Sequence, residues 1–281
     1  MSLQFLREHY LDQPFEVSLE TLALCNAKCE FCTYPNLERI GTELNEDLML
    51  NIFSQLCEFD KPFYLSPFKV NEPLLDKRLF DWLIALECNI DKVHFRLFTN
   101  GSPLTEKNIE QINALTRVEH LWISLNSCDP QEYERIMKLP FERTASKLDL
   151  LHKITAGGGM RHKVVLSKVS EGREKDTRFV RYVYDRWPIF EPVLIKRDGW
   201  LGDIDAPALA IPATPCSRWF ELSIMATGIV SLCCMDGHGK FSIGDLNTQT
   251  LLEVYNAPAW RERRERMLSR HEVFPCSTCS Y

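Results

Sequence analysis

The stretch from Leu22 to Asn36 reads LALCNAKCEFCTYPN, and it places three thiols in eight residues: Cys25, Cys29 and Cys32, spaced CxxxCxxC. It follows directly on an alternating run, FEVSLETLAL (15–24). Three thiolates from one short loop can hold three irons of a [4Fe–4S] cube and leave the fourth iron without a protein ligand. An open metal position is where a cofactor or substrate binds, by the logic that separates catalytic from structural zinc. A structural zinc competes for such a set, but it calls for four closed ligands in paired CxxC spacing, and nothing nearby completes this one. The chain has 11 cysteines in all, an odd number. The start, MSLQFLREHYLDQP, carries no apolar signal segment. A reduced, cytoplasmic chain is expected, without a disulfide framework.

The 281 residues suffice for one large α/β domain with a small appendage. Six β-like runs punctuate the first two thirds: 15–24, FYLSPFKV (63–70), VHFRLFTN (93–100), VEHLWISLN (118–126), HKVVLSKV (162–169) and PVLIKRD (192–198). Segments with helical spacing lie between them, such as NEDLMLNIFSQLCEF, TEKNIEQINAL with Thr105 and Asn108 as its cap, and EKDTRFVRYVYDRW. Alternation of this kind predicts parallel β-α units with right-handed crossovers. Six units are too few for an eightfold barrel, so the expected fold is α/β, a partial (β/α)6 TIM-like barrel. Cys57 and Cys88 fall in the helical patterns and read as small core residues.

After about residue 200 the composition changes. GDIDAPALAIPATP reads as a linker, FELSIMATGIVSLCC as a β-hairpin turning at Thr227-Gly228, and TLLEVYNAPAWRERRERML as helix. RERRER (261–266) reads as a solvated helix face with Arg–Glu pairing. AGGGM (156–160) lacks GxGxxG spacing and reads as a loop. The tail holds Cys216, Cys233, Cys234, Cys276 and Cys279. A piece this small has little core of its own and calls for a metal staple. Four thiolates, one before the hairpin, one at its end and two from the terminal CxxC, suit a closed zinc or a full [4Fe–4S] cluster, and spacing leaves both open.

With Phe31 before its last cysteine, the CxxxCxxC loop resembles that of the radical S-adenosylmethionine (SAM) superfamily. NEPLLD (71–76) follows the second strand, where that family often carries Gly-Gly-Glu-Pro, although Val70-Asn71 stands here in place of the two glycines. TNG (99–101) and ISLNS (123–127) end the third and fourth strands in register with it. The pattern Cys-x11-Gly-x4-Cys with a late CxxC is similar to the SPASM and shorter "twitch" extensions of these enzymes.

The resemblance implies a division into a radical SAM barrel (1–204) and a twitch-type region of β-hairpin and helix (205–281). It implies a SAM-binding [4Fe–4S] cluster on Cys25, Cys29 and Cys32, and a second, auxiliary [4Fe–4S] cluster on Cys216, Cys233, Cys276 and Cys279. Phe31 would lie near the adenine, Asn71 and Glu72 would receive the methionyl ammonium, and Ser124 and Asn126 would meet ribose hydroxyls and the methionyl carboxylate. Ser167, Lys168 and Arg197 are further contacts at the ends of strands five and six. Cys234 is ligand, bystander or hydrogen-atom donor. Trp200 and Asp203, at the barrel mouth, are possible contacts of a polar substrate.

The expected activity is abstraction of a hydrogen atom from a carbinol carbon of a small polar substrate, a sugar or aminocyclitol, through a 5′-deoxyadenosyl radical. Oxidation, with the auxiliary cluster taking the second electron, and epimerisation both follow from that step. A flavodoxin or ferredoxin would donate electrons. A peptide maturase is the alternative, though the short segment before the first strand leaves no separate leader-peptide-binding domain. A zinc-stabilised binding module without catalysis is the other. The net charge of −6 argues against a nucleic-acid or anionic-membrane partner, and no apolar run reaches bilayer-spanning length.

Overall fold

The alternation of periods two and 3.6 folds into parallel β-α units. The computed structural model describes residues 1–207 and 209–280. Strands form in all six runs: β1 Glu16–Leu19, β2 Phe63–Ser66, β3 Val93–Thr99, β4 Val118–Ser124, β5 Lys163–Val169 and β6 Glu191–Ile195. Each is parallel to the next. Helix α1 (Leu3–His9) precedes them, and α2 (Glu46–Cys57), α3 (Leu79–Asn89), α4 (Glu106–Ala114), α5 (Pro130–Met137), α6 (Phe141–Ala156) and α7 (Arg173–Arg186) form the crossovers. Local chemistry starts them: Thr105 and Asn108 close a capping box on α4, and Asp129 caps α5 ahead of Pro130.

Strand β3 shows that the sheet has two unlike faces. Val93, Phe95, Leu97 and Thr99 are buried, and they alternate with half-exposed His94, Arg96 and Phe98. Val93, Phe95 and Leu97 join Leu83, Ile109, Ile112, Tyr133 and Leu148 from the helices in one core. Burying each such large apolar side chain contributes about 1.5–3 kcal/mol. The other set lines the inner, concave face, which is polar and aromatic.

The hairpin at Thr227-Gly228 is present, with Gly228 at φ +86°. A β-carbon there would lie 2.7 Å from the side chains of Asn247 and Leu48, so the turn requires glycine twice over. Its first strand, β7 (Glu221–Ile224), pairs in parallel with β1, from Glu16 opposite Glu221 to Leu19 opposite Ile224. Strands β8 (Ile229–Ser231) and β9 (Ser242–Asp245) add antiparallel pairings. Among the described residues this makes one nine-stranded sheet, ordered β6-β5-β4-β3-β2-β1-β7-β8-β9. The hairpin therefore continues the barrel sheet past its first strand. Helices α8 (Leu251–Tyr255) and α9 (Pro258–Arg266) follow.

Two expectations are corrected. Cys57 and Cys88 are exposed, because each sits in the last turn of its helix, off the stripe that faces the sheet. The RERRER face is not wholly solvated. Arg266 pairs with Glu262, but Arg264 is 2% exposed and donates to the carbonyls of Tyr255 and Leu11 at 2.7 and 3.2 Å, its guanidinium over the Tyr255 ring. Among the described residues no helix is long and apolar enough to cross a membrane.

Candidate cluster and cofactor site

The chain leaves β1 at the end of the sheet where the parallel strands all terminate, and the three-cysteine loop lies there. Lys28 and Glu30 N–H donate to the carbonyls of Met137 and Ile136, both at 3.1 Å, which pins the loop to the end of α5. Cys29 Sγ lies 3.5 Å from Met137 Sδ. Backbone amides point at the other sulfurs: Ala27 N–H at Cys25 Sγ and Tyr34 N–H at Cys32 Sγ, each 3.4 Å. Burial pushes the Cys25 thiol up to about 12, Cys32 to about 11 and Cys29 well above its ordinary range, and neighbouring sulfurs add to the rise at Cys25 and Cys29. Three thiolates crowded here need cations among them to be stable, which bound iron provides. Among the described residues no three His, Cys, Asp or Glu side chains converge on one metal-ion position. An iron–sulfur cube is held at its separate corners, so its thiolates need not meet at a point.

Glu72 is 2% exposed and heavily engaged. Its carboxylate accepts from Thr99 Oγ1 at 2.8 Å, Asn100 N–H at 2.6 Å and Leu74 N–H at 3.2 Å, tying the ends of β2 and β3. Burial raises its pKa to about 7 against those hydrogen bonds. Asn71 Oδ1 accepts from Lys69 N–H at 3.0 Å, while Asn71 Nδ2 is buried without a partner among the described residues. That free amide donor suits a carboxylate better than an ammonium. Sequence reasoning passed over a network beside it. Asn100 Nδ2 donates to Asn26 Oδ1 at 2.8 Å and lies 4.0 Å from Cys25 Sγ, and Asn26 Nδ2 donates to Ser102 Oγ at 2.7 Å. The TNGS stretch at a strand end was the available signal.

Asn126, at φ +63°, accepts from Val169 N–H at 3.0 Å and turns Nδ2 to Met137 Sδ at 3.1 Å, so it joins β4, β5 and the cluster loop through one methionine. Ser124 is half-buried and opposite Ser167 in register, and Ser167 Oγ is buried without a partner among the described residues. Lys168 faces the other way, donating to Glu171 at 2.7 Å and to its neighbour's carbonyl. Arg197 braces its own loop through the Asp205 carbonyl at 3.1 Å. The Phe31 carbonyl accepts from Trp200 Nε1 at 2.9 Å, and Asp203 pairs with Lys240. Trp200 and Leu201 both hold left-handed φ, +47° and +55°, a strained pair that this indole contact helps fix.

Deeper on the concave face, Arg96 bonds Glu16 at 2.6 Å and Glu119, and stacks on Tyr64 at 3.6 Å. Arg218 grips Glu221 at 2.8 and 3.0 Å, yet burial, with Glu16 alongside, raises Glu221 to about 7. Phe68, Phe98 and Trp122 cluster nearby, with ring centroids 5.1 and 6.1 Å from Phe98. His120 joins them, its Nε2 buried and unpartnered among the described residues.

The second cysteine group converges from three distant segments. Cys216, Cys233, Cys276 and Cys279 line one small cavity, walled by Trp219, Leu232 and Met235 and by Arg218 and Arg270. Trp219 Nε1 donates to Cys276 Sγ at 3.4 Å. Burial pushes Cys216 to about 12 and raises Cys233 and Cys276. Four thiols around one void fit a four-iron cube with a sulfur at each corner. Cys234 is not on that wall; its electrostatic neighbours are Arg218, which is, and Glu221, Lys69 and Glu16. The two regions interlock. Glu20, fully buried, pairs with Arg39 at 2.6 and 2.9 Å, and Arg39 donates to the Gly237 carbonyl at 2.7 Å. Lys69 Nζ donates to Ser223, Ser231 and the Cys233 carbonyl. A β-carbon on Gly237 would collide with Thr33 and come within 3.1 Å of Trp200, so that loop seats directly on the cluster loop.

An open parallel barrel with a three-cysteine loop at its mouth and a four-cysteine cavity beside it defines a class of iron–sulfur enzymes. The model of the radical SAM superfamily matches residues 19–162, and that of the SPASM iron–sulfur cluster-binding domain matches 216–280. The chain belongs to the radical SAM superfamily. With membership come a [4Fe–4S] cluster and SAM, and with the SPASM match auxiliary iron–sulfur binding. Enzymes of this kind act on small molecules or peptides and need a reductant. Similar solved structures include BtrN in complex with AdoMet and 2-DOIA, at 17% identity and TM-score 0.61, covering 95% of this chain and 93% of that one. Streptococcus suis SuiB bound to precursor peptide SuiA gives 13% and 0.71, covering 99% and 72%. Native anSMEcpe with bound AdoMet gives 13% and 0.65, covering 94% and 88%. At these identities the likeness is one of fold. No curated protein matches the chain in sequence.

Proposed function

We propose that the chain takes a hydrogen atom from a carbinol carbon of a small polar substrate, a sugar or aminocyclitol, and oxidises or epimerises that carbon. The observation carrying this reading is the concave face. Its half-exposed lining combines rings (Phe68, Phe98, Trp122) with hydrogen-bonding groups (Arg96, His120), where the opposite face is apolar. Aromatic faces pack on C–H-rich rings, and the polar groups match hydroxyls and amines. BtrN, bound to 2-DOIA in its structure, supports a ligand of this size in such a fold.

In this reading Cys25, Cys29 and Cys32 hold the SAM-binding cluster, and Cys216, Cys233, Cys276 and Cys279 the auxiliary one. Bound there, cluster and SAM supply the 5′-deoxyadenosyl radical. The chain's own residues orient and exclude water. Asn71 Nδ2 would meet the carboxylate of SAM, Asn100 and Asn26 fix the Cys25 side of the loop, and Ser124 and Ser167 would offer hydroxyls to the ribose. Phe31 would flank the adenine, and Asn126 and Glu72 hold the loops in place. Cys234, off the cavity wall, would return a hydrogen atom in an epimerisation. Residues 1–204 would form the catalytic barrel and 205–281 the auxiliary region, in a reducing cytoplasm where a flavodoxin or ferredoxin serves as donor.

Anaerobic incubation with SAM, dithionite and candidate sugars, aminocyclitols and peptides tests the reading. Deuterium at the carbinol carbon should enter 5′-deoxyadenosine. Solvent deuterium in the product marks epimerisation, and a carbonyl product marks oxidation. Turnover of peptides alone would overturn the substrate class.

A further inference from the structure

Lys69 is 1% exposed, two residues before Asn71. Its ammonium donates to Ser231 Oγ at 2.6 Å, Ser223 Oγ at 3.0 Å and the Cys233 carbonyl at 3.3 Å. An ammonium has three donors, and three neutral oxygens receive them, while burial pulls the pKa of the amine down. Those partners include no carboxylate. Glu20, the carboxylate whose field favours the charge, is itself gripped by Arg39. A buried cation left without an anion costs several kcal/mol. A [4Fe–4S] cluster on four thiolates carries net negative charge that grows on reduction, and Cys233 and Cys234 are close enough to act on the Lys69 charge.

We propose that Lys69 is a buried counter-ion of the auxiliary cluster, beside Arg218 and Arg270 on the cavity wall, and raises its reduction potential. The inference rests on the assignment of Cys216, Cys233, Cys276 and Cys279 as that cluster's ligands. A cation held at the ligand backbone inside low-dielectric protein stabilises the reduced cluster more than the oxidised one. The same residue positions Asn71 through its amide. One side chain and its backbone thus serve both centres.

The test uses the full-length chain with Cys25, Cys29 and Cys32 replaced by alanine, reconstituted anaerobically with iron and sulfide. The auxiliary cluster is then read alone in an EPR-monitored redox titration. Lys69→Met and Lys69→Gln should each be at least tenfold harder to reduce, a midpoint about 59 mV or more lower. Lys69→Arg, which keeps the charge, should stay near the parent. Unchanged midpoints in the neutral variants would overturn the inference. So would loss of the cluster from both neutral variants with retention in Lys69→Arg, which makes the role purely structural. A parent that fails to bind about four irons overturns the ligand assignment itself, and the inference with it.

Discussion

The two cysteine groups solve opposite problems. The first comes from a single loop, is half-buried, and sits among amides and hydroxyls that remain partly free: Asn71 Nδ2 and Ser167 Oγ have no partner among the described residues. The second is gathered from three segments up to 63 residues apart (216 to 279) around a void walled by Trp219, Leu232 and Met235. Three sulfurs would leave a coordination position on a four-iron cube for something to enter, and four would leave none. The difference lies in ligand number and in what fills the space around the sulfurs, since burial pushes Cys25 and Cys216 alike to about 12.

Four experiments break or sharpen that contrast. Cys29→Ala should abolish 5′-deoxyadenosine formation, about 10³-fold or more, leaving a background rate. Iron should fall from about eight to about four per chain, since a second cube of four remains. Cys276→Ala should do the reverse: SAM cleavage continues while substrate turnover collapses. Loss of the staple should cost about 3 kcal/mol, a Tm lower by about 6–12 °C. Equal loss of SAM cleavage in both variants would erase the distinction between the sites. Gly237→Ala strikes where the regions meet. Its methyl has to displace Thr33 and Trp200, at about 1–3 kcal/mol, and iron should leave the first site before the second.

The smallest effect is a pH dependence. Glu221 has its folded pKa raised to about 7 from 4.5. The folded state therefore keeps a proton that the unfolded chain has lost. That contribution is fully present below the ordinary carboxylate value and declines as pH rises towards 7. Glu221→Gln should flatten the fall of Tm with pH across this window, by at most about 3 kcal/mol.

Much of this was legible locally. Each of the six strands and the hairpin carries its own period-two pattern or turn, and the first three cysteines are eight residues of chain. What escaped depends on long-range pairing. Nothing in FELSI announces that Glu221 will lie beside Glu16, because parallel pairing across some 200 residues leaves no turn to read. Lys69 sits in FYLSPFKV as an ordinary polar residue; only with β7 and β8 folded over it does it find Ser223 and Ser231. Glu72 fits the family pattern, but its hydrogen bonds to Thr99 and Asn100 depend on β3 alignment. Cys57, Cys88 and Arg264 were misread because helical spacing cannot locate the end of a buried stripe.

The pairing of β1 with β7 also governs the order of events on the ribosome. One of the two neighbours of β1 is synthesised some 200 residues after it. Until then the nascent barrel carries a bare strand edge beside an empty thiol loop, open to wrong pairing and to stray metal. Synthesis of β7 is thus what seals the free edge of β1.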